Sequence, residues 1–176
     1  MAAGVGALNL SSNQLKVAVL KACRGIGLPV AQAQEVAAAI AVSPLALNAL
    51  LAHLAKPISS ASFDFSSGLD IRNGYLLRDF SVCVDAVCLG ALPVILRGLP
   101  NCDVTQALAQ YHGVSAVMHN GDLHVAPHQY PVQKAERCKV DPIDWQRLGV
   151  YAALTYVPET DESRLVGAGA GLTDND

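Results

Sequence analysis

From Val36 to Ala55 the chain runs for twenty residues without a charged side chain. A stretch of that length either crosses a bilayer or lies inside a folded domain. Ser43-Pro44, Asn48 and His53 interrupt it, and many of its apolar residues are weakly apolar alanines. We read it as core helices broken at Pro44, with no membrane partner.

Its surroundings support a helical first third. Ser11 followed by Gln14 has capping-box spacing, Leu15, Val19, Cys23 and Ile26 then share one face, and Gly25 and Gly27 are stop signals. This predicts a helix over 12–26. Pro29 suits the first turn of a second helix carrying Ala33, Val36, Ala37 and Ile40 on one stripe. A third helix restarts after Pro44 and runs toward Lys56-Pro57.

The middle of the chain mixes signals. Residues 58–68 form a Ser-rich connection whose Phe63 and Phe65 are expected to dock on the core. Leu69, Ile71, Tyr75 and Leu77 alternate around Asn73-Gly74, which predicts a hairpin, and Val82, Val84, Val87 and Leu89 suggest a strand. The apolar run 89–100 fits a strand or a short helix equally. Asp103 to His112 has helical spacing closed by Gly113, and Asp141-Pro142 opens a last helix through Ile143, Leu148 and Tyr151, ended by Pro158. The fold class expected is α+β, with N-terminal helices and a C-terminal helix on a small, mostly antiparallel sheet. It forms one domain spanning residues 1–176: a helical stretch over 1–57, a mixed stretch over 69–157 and a Gly-rich tail over 158–176.

The strongest local turn signal is Asn120-Gly121, between VSAVMH and DLHVA. A two-residue loop pairs His119 with Asp122, Met118 with Leu123 and Val117 with His124. Val114, Ala116, Met118, Leu123 and Val125 then face the core, while His119, Asp122 and His124 share the other face. Two imidazoles and a carboxylate are ligand types of iron and zinc sites, so these three are the metal candidates, with acid–base catalysis by a histidine as a variant. The plainer reading is a solvated polar face. His53, His112 and His128 read as hydrogen-bonded structural residues. Tyr151 and Tyr156 read as core or interface anchors.

Five cysteines, at 23, 83, 88, 102 and 138, form no CxxC pair and no zinc or disulfide spacing. Buried thiols in a reducing cytoplasm are the reading, and the first fifteen residues lack the basic start of an export signal. In the tail, Gly167, Gly169 and Gly171 alternate with alanines, yet no strand precedes them and no helix start follows, as a phosphate loop requires. Glu162, Arg164, Gly167 and Gly169 remain candidates for holding a polar ligand, or the tail lies extended against its own core or a second subunit. No cofactor is expected. Lys and Arg number only 12 against 15 Asp and Glu, which offers no basic stripe for nucleic acid.

Tyr156-Val157-Pro158, Glu162-Ser163-Arg164 and the glycine block resemble the C-terminus of a bacterial family known as domain of unknown function 3726. The opening LNLSSNQLKVAVLKACRGIGLP is similar to that family's first helix and the Gly-containing turn that ends it. The resemblance covers about a third of the chain and implies no reaction, so it assigns no catalytic residue. The first two helices also resemble those of the type 2 malate and lactate dehydrogenases, which use a nicotinamide cofactor. This chain is much shorter and lacks the Ser-His-Gly segment that follows those helices.

Surface arithmetic supplies the functional expectation. A folded chain of 18.4 kDa exposes roughly 8,200 Å², about one formal charge per 300 Å² here, which is sparse for a monomer. We therefore expect a cytoplasmic, non-catalytic or accessory domain that forms a homo-oligomer, with a small ligand or partner protein as further occupants. The alternative is a small enzyme with a metal or acid–base site at the Asn120-Gly121 hairpin.

Overall fold

A computed structural model describes residues 6–99, 102–128 and 137–155. Strand β1 (Leu8–Ser11) leads into α1 (Ser12–Gly25), where Ser11 and Gln14 form the reciprocal capping box. Helix α2 (Val30–Val42) follows, with Ala33, Val36, Ala37 and Ile40 all buried. Pro44 ends it in a 3₁₀ turn (Pro44–Ala46), and α3 (Leu47–Leu54) leaves at 118° to α2. No single helix among the described residues is long and apolar enough to cross a membrane. The uncharged run is buried instead, through Leu47, Leu50, Leu51 and Leu54.

The second half begins with β2 (Ser62–Asp64) and β3 (Leu69–Arg72), an antiparallel pair. The Asn73-Gly74 turn does not build a hairpin. It feeds α4 (Leu76–Cys88), which crosses to β4 (Val94–Arg97), and β4 pairs with β3 in parallel. The segment expected to be a strand is therefore helical, because Leu76, Phe80, Cys83, Val84 and Val87 recur at helical spacing and all are buried. Asp79 reinforces the start by accepting the Tyr75 backbone N–H at 2.6 Å, and Arg78 neutralises its buried carboxylate at 2.6 and 2.8 Å. Phe63 and Phe65 also depart from expectation: they stack on each other, centroids 6.5 Å apart, and stay exposed, Phe63 on the edge strand and Phe65 just after it.

Helix α5 (Asp103–His112) ends at Gly113 and enters the hairpin of β5 (Val114–His119) and β6 (Asp122–Pro127). Asn120 and Gly121 have φ of 52° and 85°, the two positive values a two-residue hairpin loop of this twist needs. The sheet order is β2-β3-β4-β6-β5, antiparallel except for β3-β4. Strand β7 (Arg137–Val140) pairs with β1 in a separate two-stranded sheet, and Asp141 caps α6 (Pro142–Ala153).

The class is α+β, arranged as three layers. Helices α4 and α5 cover the buried face of the five-stranded sheet, and α1, α2, α3 and α6 pack as an outer helical layer behind them. The terminal helices thus reach the sheet through α4 and α5 rather than lying on it. Close approach of α1 to α6 depends on Gly25, where a Cβ would stand 2.0 Å from the Tyr151 carbonyl oxygen.

Candidate functional site

Among the described residues no helix covers the second face of the sheet, and the hairpin register places His119, Asp122 and His124 there with the pairing the sequence predicts. The two imidazole rings meet edge to face, centroids 5.4 Å apart. Asp122 is turned elsewhere. Arg97 lies directly across from it on β4 and donates to its carboxylate at 2.8 Å, while the Gly98 backbone N–H donates at 3.3 Å. The same guanidinium donates to Asp70 on β3 at 2.7 and 2.9 Å, forming a carboxylate–guanidinium–carboxylate bridge across three strands. These bonds to Arg97 hold the Asp70 carboxyl below its ordinary range, and Asp70 in turn stabilises the charged guanidinium. Among the described residues, no three His, Cys, Asp or Glu side chains stand where they could hold one metal ion. The tail candidates Glu162, Arg164, Gly167 and Gly169 lie outside the described residues, as do Tyr156 and Pro158.

A second polar locus lies where α5 ends. His112 packs against Tyr111 and Phe80, and its Nε2 is 3.5 Å from a Glu35 carboxylate oxygen on α2 without forming a hydrogen bond. Burial lowers the His112 pKa, with Asp85 opposing, and burial followed by Asp85 raises that of Glu35. Both shifts disfavour the charged pair. His112, Cys88, Val114 and His128 border an open pocket of about 420 Å³.

A third locus is apolar. Helices α1 and α6 enclose a groove of about 530 Å³ between Val17, Ala18 and Lys21 on one side and Trp145, Gly149 and Ala152 on the other. Helix α6 has one buried side chain, Leu148. Ile143, Val150 and Leu154 stand 66%, 63% and 62% exposed. They form a stripe with Arg147 at spacings of four, three and four residues, and Arg147 pairs within the helix with Asp144 at 3.3 Å.

Two groupings lay beyond the reach of sequence reasoning. The Asp70–Arg97 pair requires the parallel β3-β4 register, which the expected hairpin at Asn73-Gly74 would have prevented. Cys102 and His53, forty-nine positions apart, meet only because α5 packs on α3. No local pattern signals that pairing. Compared with protein-family models, curated proteins and solved structures, the chain matches none.

Proposed function

We propose that this chain is a non-catalytic or accessory domain of the cytoplasm that self-associates through α6. The observation that carries the reading is the exposed stripe Ile143, Arg147, Val150 and Leu154. Alternating four- and three-residue steps are the spacing by which one helix meets another along a seam. Two copies of α6 related by a two-fold axis would bury Val150 and its neighbours against themselves, an isologous contact that closes at the dimer. Five unpaired cysteines fit a reducing compartment. The α1–α6 groove beside the stripe offers room for a small apolar ligand or a partner's side chains.

Sedimentation equilibrium across the micromolar range tests this. The expected mass exceeds 18.4 kDa and rises with concentration, and Val150→Glu returns it to the single-chain value. A wild-type mass of 18.4 kDa throughout overturns the proposal. The hairpin supports a second reading, acid–base chemistry, only through its pair of touching imidazoles. Zinc or iron titration monitored by melting temperature separates a metal-binding version from it.

A further inference from the structure

The register of the β5–β6 hairpin sets His119 and His124 on diagonal positions of one sheet face, His119 opposite Asp122 and His124 opposite Val117. Diagonal neighbours on a pleated sheet are within reach of aromatic side chains, and here the two imidazoles touch, centroids 5.4 Å apart and planes at 83°. His124 lies on an inner strand, flanked by Ile95 of β4 and Val117 of β5, so its ring sits between two apolar neighbours. His119 is exposed at the hairpin end, where its ring can turn about Cβ–Cγ.

Two imidazoles sharing one ion, each with a nitrogen about 2 Å from it and at a near-tetrahedral angle, have centroids about 5 Å apart. The observed separation matches that spacing, so the backbone already sets the pair for chelation and a ring rotation completes it. Asp122 is committed elsewhere: its carboxylate accepts from Arg97 at 2.8 Å and from the Gly98 backbone N–H at 3.3 Å. It contributes charge instead. Asp64, Asp70 and Asp122 outnumber Arg72 and Arg97 on this face, so an arriving cation meets no repulsive field.

We propose that His119 and His124 together bind one late first-row divalent metal ion on this face, with water completing its coordination. Imidazole nitrogen suits zinc, nickel and copper, whereas magnesium and calcium demand oxygen. Structural zinc sites use four protein ligands and catalytic ones three. Two ligands therefore make an exchangeable site, one that carries an ion rather than holding the fold together. It employs the same rings as the acid–base reading but uses their lone pairs to bind a metal, and it is separate from self-association through α6.

The probe is Ni²⁺, added to the folded full chain at pH 7.5 in a Cys88→Ser background that removes the exposed thiol. Below one equivalent this paramagnetic ion should broaden the imidazole proton NMR signals of His119 and His124 before those of His53, His112 and His128. In titration calorimetry His119→Ala and His124→Ala should each weaken binding at least about tenfold, the loss that even an outer-shell change causes in metal sites. Asp122→Asn should leave the affinity nearly unchanged, and so should Val150→Glu, which separates this site from the α6 contact. Should a histidine variant fail to fold, the broadening pattern of the chain with both rings intact still decides. Broadening spread evenly over the exposed histidines, or single-histidine variants that bind as tightly as the parent, would mean adventitious binding only and overturn the site. Equal losses in Asp122→Asn and His119→Ala would overturn the two-imidazole assignment in favour of three ligands.

Discussion

Helices α2 and α6 are nearly equal in length and both rich in apolar residues, yet the tertiary structure uses them in opposite ways. Helix α2 buries six of its thirteen residues among α1, α4 and α5, whereas α6 buries Leu148 alone of twelve. A helix hydrophobic all round is satisfied only in the centre of a fold. The same property at the periphery leaves side chains such as Val150 facing water, and that is where a second molecule gains most by binding.

The largest expected effect lies on the buried side. Ile40→Ala on α2 should cost about 2–5 kcal/mol in denaturant unfolding, because the site is enclosed on every side and a cavity remains. A cost below about 1 kcal/mol would show that α2 is less tightly held than its burial implies.

Acid should weaken the same half of the molecule. The His53 pKa is about 4 in the fold against 6.5 unfolded, so between those values the unfolded chain binds a proton that the folded chain refuses. Stability falls as pH falls through this window, by at most about 3 kcal/mol, and His53→Gln should flatten that region of the curve. Urea midpoints taken from pH 7.5 down to 4 provide the measurement.

The α1–α6 contact is next in size. Gly25→Ala places a methyl where the Tyr151 carbonyl stands, and displacing α6 should cost about 1–3 kcal/mol in thermal or denaturant unfolding. Little change would mean that α6 shifts easily and that the groove it borders is plastic.

The smallest effect on stability belongs to the exposed stripe. Leu154→Lys should change unfolding free energy by no more than about 0.5 kcal/mol while lowering the mass seen by sedimentation. The same substitution at Leu148, earlier on the helix and on its buried side, should prevent folding, as judged by circular dichroism. If the two substitutions behave alike, the contrast between the faces of α6 fails.

Legibility followed the range of the forces involved. The capping box at Ser11, the stop at Gly113 and the register across Asn120-Gly121 are settled within a few residues, and each forms as the sequence predicts. The stretch around Leu76 to Cys88 carries two local patterns at once: valine alternation at its end suggests a strand, and the full helical stripe is visible only over all thirteen residues. Burial of that stripe between the sheet and α2 favours the helix. At the candidate site, the shared face of His119, Asp122 and His124 was legible because a sheet alternates strictly. The turn of Asp122 toward Arg97 was not, since Arg97 arrives from a strand whose position depends on the α4 crossover.

By itself the sequence determined the ends of α1 and α5, the start of α6, the break at Pro44, the hairpin and the burial of the uncharged run, because capping, turn chemistry and hydrophobic period act on neighbours along the chain. Tertiary structure alone decided that β3 and β4 run parallel, that α6 leaves Ile143 and Val150 in water, and that Cys102 sits beside His53. Each of those outcomes depends on which distant surfaces compete for the same buried space, and close packing settles that competition only once all the elements are present.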